Sequence, residues 1–310
     1  MNRLIGRYSE GNKGPLLIVI GGMHGNEPAG IHAVESLLQM LEQEKEKNAG
    51  FEFKGALVGL RGNLQAIEQG KRFNERDLNR SWVNKKIIDI ESQVYGDLTF
   101  EDKEIADLLA AIRAAIKRYD AREVCVLDIH TTTASGGIFS IPNGSEKSLK
   151  LAKSMHAPVV LGMLDGIKGT SLHYFNNHYW DLDMTSIVFE AGQHVEALSE
   201  NRAISAMVSC LRELGCVHPT DVESHHDKIL KQYADGLPEV TRLLYAHNIE
   251  QDDDFTMQPG FLNFQAIDSG TLLARDSNGP IYADRSGLML MPLYQAQGED
   301  GFFLIEEVTG

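Results

Sequence analysis

Short apolar runs alternate with amphipathic stretches over about the first 215 residues of the chain. The runs end at glycines or polar residues, which is typical of buried strands. They predict strands at 15–22, 54–60, 123–129, 158–162 and 185–189. Apolar residues at helical spacing predict helices at about 28–46, 101–117 and 195–214. This alternation predicts an α/β sheet covered by helices on both faces.

The pattern changes after about residue 215. From 239 onward short candidate strands alternate with turns such as Asp268-Ser-Gly270 and Ser277-Asn-Gly279. We therefore expect an α/β domain over 1–220 and a small β-rich C-terminal domain over 221–310. The polar stretch 74–100 is expected to be irregular.

The charge and composition of the chain argue against some classes of binding partner. A formal net charge of −15 over 310 residues argues against nucleic acid or an anionic membrane. Residues 1–15 lack the apolar core of a signal peptide, and no stretch approaches the roughly 18 apolar residues of a membrane span. An odd number of cysteines, none in a C-x-x-C pair, suits reduced thiols. We therefore expect a cytoplasmic protein, and its oligomeric state, including a possible homo-oligomer, stays open.

Two histidines and one glutamate follow predicted strands, where binding sites of α/β sheets usually lie. His24 and Glu27 lie three residues apart in the turn after the first strand, and His130 follows the run 126–129. Such a set can hold zinc and leave one position open for water. Each residue alone could instead be a capping or loop residue. Asp128 could orient a ligating imidazole or be a simple strand-end carboxylate.

Further candidates for catalysis and binding lie in two other segments. Glu190 directly follows an apolar run, where a carboxylate is costly unless it has a partner or a task. It could take a proton from an attacking water and later give it to a leaving amine. Arg72, Asn79 and Arg80 lie in one polar segment, and arginine can hold a carboxylate through two parallel hydrogen bonds. A solvated surface loop is the alternative for that segment.

Six segments together carry a resemblance to a known family. They are Gly22-x-His24-Gly-Asn-Glu27, Arg61-Gly-Asn63, Gly70-x-Arg72, Asp77-Leu-Asn79-Arg80, Asp128-x-His130-Thr and Phe189-Glu190-x-Gly192. Their order and spacing resemble the succinylglutamate desuccinylase/aspartoacylase family, a branch of the zinc carboxypeptidase-like hydrolases. The resemblance implies a carboxypeptidase-like mixed sheet, whereas alternation alone favours an all-parallel one.

The resemblance also implies a role for each matching position. One Zn²⁺ per chain would be held by His24, Glu27 and His130. Glu190 would act as general base and acid, and Arg72 would stabilise the developing oxyanion. Asn79 and Arg80 would bind the carboxylate of the amino-acid product. The implied reaction is hydrolysis of a small anionic N-acyl amino acid.

This chain departs from the family where aspartoacylases place a further arginine for a second carboxylate. No arginine lies between Arg122 and Arg202. Lys168 could replace it as a point charge, or the pocket could be neutral. The neutral pocket would be lined by some of Tyr174, Phe175, Tyr179 and Trp180. We therefore expect that N-acetylaspartate is not the best substrate.

Two further functions stay open. A zinc carboxypeptidase could use the same metal site on a peptide, although in the family the C-terminal domain caps the site and favours small substrates. A non-catalytic metal-binding homologue is the other alternative, against which the intact ligands, base and anion clamp argue. The tyrosine that this domain contributes in the family could be Tyr282 or Tyr294.

Overall fold

The computed structural model describes residues 1–221, 225–250 and 252–308. The helices in these residues are α1 (Ala29–Lys47), α2 (Leu64–Gln69), α3 (Asn84–Ser92), α4 (Phe100–Tyr119), α5 (Glu146–Ser154), α6 (Met163–Gly166), α7 (Ser171–Tyr174), α8 (Ser199–Glu213) and α9 (His225–Ala234). The strands are β1 (Leu4–Tyr8), β2 (Asn12–Gly21), β3 (Lys54–Arg61), β4 (Glu123–Thr132), β5 (Phe139–Pro142), β6 (Val159–Leu161), β7 (Asp183–Gln193), β8 (Val240–Asn248), β9 (Thr256–Met257), β10 (Ala266–Ile267), β11 (Leu272–Asp276), β12 (Gly279–Tyr282), β13 (Gly287–Leu290) and β14 (Asp300–Glu307).

Eleven of these strands form one mixed sheet in the order β1-β3-β2-β4-β7-β5-β6-β8-β14-β13-β10. β2 runs parallel to β3 and β4, and β4 runs parallel to β7. β1 and β5 are antiparallel to β3 and β7, respectively. The mixed α/β fold that the family resemblance implies is therefore confirmed, and the all-parallel alternative is wrong.

The central strands are apolar on both faces because helices cover both. Along β2, Leu17 and Val19 pack into a core with α1 and α8, whereas Leu16, Ile18 and Ile20 pack into a core with α3 and α4. This alternation follows from the two-residue period of a strand. The predicted helices on both faces of the sheet are confirmed.

The prediction that 74–100 is irregular is wrong, because α3 lies within it. Ile87 and Ile90 lie on one helical face and are buried in the core that α4 also lines. The helix is only nine residues long, and its charged residues dilute that pattern. α8 begins at Ser199, later than predicted, and Val195, the predicted start, lies in the preceding loop and is 86% exposed.

The C-terminal strands extend the main sheet. β8 pairs in parallel with β6, and β14 pairs with β8 and β13. β12, β11 and β9 form a separate three-stranded sheet. The β-rich C-terminal region is therefore confirmed, while a domain boundary at residue 220 stays a prediction. Among the described helices, none has the length and apolar character needed to cross a bilayer.

Candidate active site

Parallel pairing brings three functional segments to one edge of the sheet. β2, β4 and β7 are neighbours, so their carboxyl ends meet. His24 lies three residues beyond the end of β2. His130 and Glu190 are register partners on β4 and β7, which both run past the predicted strand ends. Their side chains therefore lie side by side, although 60 positions separate them in the sequence.

The turn that carries His24 needs a glycine for steric reasons. A Cβ atom at Gly25 would lie 2.1 Å from the carbonyl carbon of Ala66, in the first turns of α2. Asn63 caps that helix, because its side-chain oxygen accepts a hydrogen bond from the Ala66 amide. The Glu27 amide donates to the His24 carbonyl at 3.1 Å. This close packing fixes both side chains toward the end of β4.

His24, Glu27 and His130 form a compact buried cluster. His24 Nδ1 lies 2.9 Å from Glu27 Oε1, and His130 Nδ1 lies 3.1 Å from Glu27 Oε2. The two Nδ1 atoms are 3.2 Å apart. One ligand atom from each residue lies within 4.8 Å of the others, and all three side chains are buried. The Thr131 amide also donates to Glu27 Oε2 at 3.0 Å, which holds that carboxylate in place.

A carboxylate lies behind each imidazole. His24 Nε2 is 3.1 Å from Asp77 Oδ1, and His130 Nε2 is 3.1 Å from Asp128 Oδ2. Ser171 donates to Asp128 at 2.7 Å. In each ring, Nε2 faces this carboxylate and Nδ1 points into the cluster. A hydrogen-bond partner on one ring nitrogen orients a metal-binding histidine in the same way. Of the two alternatives for Asp128, this contact supports the orienting role.

The electrostatics of the cluster suit a cation. Burial alone would raise the pKa of Glu27, but His24 and His130 hold it well below its usual value. Burial alone would lower the pKa of His130, but Asp128 and Glu27 raise it well above its usual value. Burial would also raise the pKa of Asp77, but Arg72 and His24 hold it well below its usual value. Two imidazoles and a carboxylate are a normal zinc donor set, so the residues fit this metal.

Glu190 lies beside the cluster and is 6% exposed. Its Oε2 atom is buried and has no hydrogen-bond partner among the described residues. Burial raises the pKa of Glu190 to about 8, with Glu27 adding to the effect and His130 opposing it. Arg202 donates to the Ala191 carbonyl at 3.2 Å and so supports the strand end from behind. A carboxyl group in this state can exchange protons near neutral pH.

The arginines of the 72–80 segment occupy different surroundings. Arg72 donates from Nε and Nη2 to Asp77 Oδ2 at 3.1 and 2.9 Å, and its Nη1 lies 3.6 Å from Glu27 Oε1. Arg80 donates to the Asn79 carbonyl at 2.7 Å and forms a salt bridge with Asp300. Both arginines line a cavity of about 100 Å³ that the cluster opens into. The solvated-loop alternative therefore does not apply to them.

Residues 291–299, which connect β13 to β14 and which we call the strap, form one wall of this cavity. The strap is hydrogen-bonded to the segments that carry His24, His130 and Arg72. Thr133 donates to the Pro292 carbonyl at 3.0 Å, Asn26 donates to Gln295 at 2.9 Å, and Gln297 donates to the Phe73 carbonyl at 3.2 Å. A C-terminal segment without any recognised motif thus closes the site.

Lys168 does not join these residues, so its assignment to substrate binding is corrected. It is exposed and lines a different hollow, together with Asp165 and Arg242. The backbone of the neighbouring Gly169 packs on Arg80 instead, where a Cβ atom would lie 2.3 Å from the Arg80 carbonyl oxygen. The loop therefore approaches the site with its backbone and turns the lysine side chain away.

The expected aromatic lining is also corrected. Tyr174 and Phe175 are buried in the core, and neither they nor Tyr179 and Trp180 line the cavity. Its apolar wall is mostly aliphatic: Ile141, Met163, Leu172, Val188, Met291 and Phe303. Tyr282 is 56% exposed on β12. Tyr294 lies in the strap, but its hydroxyl donates to the Gln258 carbonyl and it does not line the cavity.

Some residues of the site escaped the sequence analysis. His194, Gln295, Glu299 and Asp300 line the cavity, and His194 Nδ1 lies 2.7 Å from the Thr131 hydroxyl. His194 could have been suspected from its place after the Glu190 segment. The other three lie more than 100 residues further along, and no local pattern marks them.

Comparison with known proteins identifies relatives of this site. The sequence profile of the succinylglutamate desuccinylase/aspartoacylase catalytic domain matches residues 13–214. A probable aspartoacylase of Nostoc sp. is 32% identical over 127 residues, a stretch that covers 41% of this chain and only 38% of that protein. The succinylglutamate desuccinylase of Pseudomonas paraeruginosa is 24% identical over 275 residues, or 85% of this chain and 74% of that protein.

A solved structure supports the fold over nearly the whole chain. The crystal structure of a succinylglutamate desuccinylase/aspartoacylase from Rhodobacter sphaeroides superposes with a TM-score of 0.66 at 16% identity. The match covers 96% of this chain and 87% of that one. At this identity the likeness concerns the fold alone, which agrees with the mixed sheet described above.

Proposed function

Because the chain belongs to the succinylglutamate desuccinylase/aspartoacylase family, we propose that it is a zinc-dependent amidohydrolase of small N-acyl amino acids. The observation that carries the proposal is the buried His24–Glu27–His130 cluster with Glu190 beside it. This set combines a candidate metal site with a carboxyl group, one oxygen of which has no hydrogen-bond partner among the described residues. That pairing suits hydrolysis of an amide better than simple metal storage.

In the proposed site His24, Glu27 and His130 would hold one zinc ion, and Asp77 and Asp128 orient the two imidazoles. When bound, zinc would polarise the acyl carbonyl and lower the pKa of water toward ~7.

Glu190 takes a proton from the attacking water and returns it to the amide nitrogen as the carbon–nitrogen bond breaks. The products are a carboxylic acid and the free amine. Arg72 stabilises the negative charge that develops on the carbonyl oxygen, since its Nη1 end lies near Glu27.

We assign Asn79 and Arg80 to the substrate carboxylate. Arg80 Nε is buried and has no hydrogen-bond partner among the described residues. Arg80 already pairs with Asp300, so it would share its charge between that residue and the substrate. Asn79 Nδ2 lies 3.4 Å from His130 Nε2, which also links the carboxylate site to a proposed metal ligand.

The alternatives find less support. A carboxypeptidase acting on peptides needs an open cleft, whereas the strap forms a wall of a cavity of about 100 Å³. A non-catalytic homologue has no need for a buried, unpartnered Glu190 oxygen beside the cluster. A cytoplasmic location stays part of the proposal, in line with three free, buried cysteines.

The proposal is tested by a hydrolysis screen of the zinc-loaded protein. N-acetyl and N-succinyl derivatives of acidic, neutral and basic amino acids are incubated with it, and release of the primary amine is measured. Turnover of at least one compound, abolished by a chelator and restored by zinc, is expected. If the zinc-loaded protein releases no amine from any of them, the proposed activity is wrong.

A further inference from the structure

Two carboxylates stand where the strap meets β14. Glu299 and Asp300 both line the cavity, together with its aliphatic residues. Glu299 keeps much of its surface exposed, and partial burial raises its pKa, with Asp77 and Asp300 adding to the effect and Arg80 opposing it. Nothing in the family resemblance assigns a role to either residue.

The two arginines that line the cavity already pair with carboxylates of the chain. Arg72 and Arg80 are the permanently charged cations among the described residues that line it. Arg72 directs two hydrogen bonds to Asp77, and Arg80 forms a salt bridge with Asp300. Glu299 therefore forms no ion pair within the described part of the chain. A cationic ligand in the cavity could donate a charge-assisted hydrogen bond to this unpaired carboxylate.

We propose that Glu299, with Asp300 beside it, selects a substrate whose amino-acid half carries a basic group, such as the ammonium of an N-acyl lysine or ornithine. The inference rests on the proposed amidohydrolase function and names its substrate class. Glu299 is the specificity residue, because Asp300 already serves Arg80. Besides Arg72 and Arg80, the described wall holds no arginine or lysine that could pair with an acidic side chain, so we expect slower turnover of acidic substrates.

The rest of the cavity suits such a substrate. The methylene stem of a lysine or ornithine side chain is apolar and its end is charged. The aliphatic wall offers contacts for the stem or the acyl group, and Glu299 offers a charged acceptor for the end. A charge-assisted hydrogen bond is shorter and stronger than a neutral one. A neutral substrate of similar shape would keep the apolar contact and lose the charge-assisted hydrogen bond to Glu299.

The test compares substrates that differ in one charge. We measure kcat/KM of the zinc-loaded protein for Nα-acetyl-lysine, Nα-acetyl-norleucine and N-acetylglutamate. The lysine compound is expected to exceed the other two by at least about tenfold. Glu299→Gln should lower the lysine value about tenfold, so that it no longer exceeds the norleucine value. Glu307→Gln, an exposed carboxylate at the other end of β14, is the control and should keep the preference.

A binding experiment separates this inference from the proposed reaction. Calorimetry of the products lysine and norleucine isolates the side-chain ammonium, because both carry the same backbone charges. Wild-type protein should bind lysine more tightly by about tenfold, and Glu299→Gln should bind both equally.

If the protein hydrolyses substrates but prefers lysine in neither assay, the inference about Glu299 is wrong and the proposed function stands. The same holds if the preference for lysine persists in Glu299→Gln. If the protein binds lysine selectively through Glu299 but hydrolyses none of the compounds, the proposed function is wrong and the inference about Glu299 stands.

Discussion

The floor of the site and the strap that covers it are built in different ways. The floor, formed by His24, Glu27, His130 and Glu190, belongs to strand ends or to a tight turn and is almost fully buried. The strap is a loop held by hydrogen bonds such as Gln297 to the Phe73 carbonyl. The floor carries the groups that we propose for metal binding and proton transfer, whereas the strap presents the carboxylate of Glu299 to the cavity.

We propose that the floor carries out the reaction and that the strap determines substrate selectivity. Strand pairing fixes the floor, since neighbouring parallel strands bring His130 and Glu190 into register. A loop can change its residues without disturbing the sheet, and binding specificity often lies in such loops. If this division is right, changes in the floor should abolish activity or metal binding. Changes in the strap should alter substrate preference or stability and leave the metal in place.

The largest effect is expected for His130→Ala. The variant removes one of three ligands from a buried cluster, so most of the zinc should be lost and hydrolysis should fall to background. Metal analysis after dialysis measures the zinc, and circular dichroism checks folding. His32→Ala, an exposed histidine on α1, is the control and should keep full zinc. Stoichiometric zinc in folded His130→Ala would refute the ligand assignment.

Glu190→Gln should affect rate and leave the metal bound. The amide keeps the size of the side chain but cannot shuttle a proton, so kcat should fall by about 10²–10⁴. Zinc content should match that of the wild type, because Glu190 is not one of the three clustered ligands. Turnover close to the wild-type rate would exclude Glu190 as the base, and parallel loss of zinc would make it a ligand.

The floor could be predicted from the sequence because its signals are local. His24, Glu27, His130 and Glu190 each follow an apolar run, and parallel strands end at one edge of a sheet. In the sequence, Asp77 is recognisable only as part of the Asp77-Leu-Asn79-Arg80 segment. Its contact with His24 depends on how a loop without regular structure folds back over 53 positions, which spacing does not reveal.

The strap could not be predicted for the same physical reason. Glu299 and Asp300 reach the cavity because β14 pairs with β8, which extends the main sheet, and no nearby pattern encodes that pairing. Lys168 lies close to the aromatic stretch in the sequence, but its side chain lines a different hollow, which distance along the chain does not reveal. The α3 helix was missed because its two buried isoleucines give too weak a pattern.

A smaller effect is expected for Asp128→Asn, which changes the support of the floor. Its carboxylate lies 3.1 Å from His130 Nε2 and orients the ring. Loss of such a partner typically weakens metal affinity by about 10- to 100-fold. Competition with a zinc-binding dye measures this affinity. Asp89→Asn, an exposed carboxylate on α3, should leave it unchanged. If Asp128→Asn keeps the wild-type zinc affinity, Asp128 is a simple strand-end carboxylate and does not orient His130.

The smallest effect is expected for Tyr294→Phe, which tests whether the strap contributes a hydroxyl to the reaction. The Tyr294 hydroxyl donates to the Gln258 carbonyl at 3.0 Å and accepts from the Phe261 amide at 2.8 Å. Phenylalanine keeps the ring and loses both bonds, so the free energy of unfolding should fall by about 1 kcal/mol. Urea denaturation measures this loss.

Turnover separates a structural Tyr294 from a catalytic one. The hydroxyl bonds to the C-terminal loop and Tyr294 does not line the cavity, so kcat/KM of Tyr294→Phe should stay within about twofold of wild type. Tyr282→Phe, which alters an exposed residue on β12, should change neither quantity. A tenfold loss of kcat/KM at unchanged stability would place the Tyr294 hydroxyl in the reaction. The strap would then supply chemistry as well as selectivity, and the division between it and the floor would no longer hold.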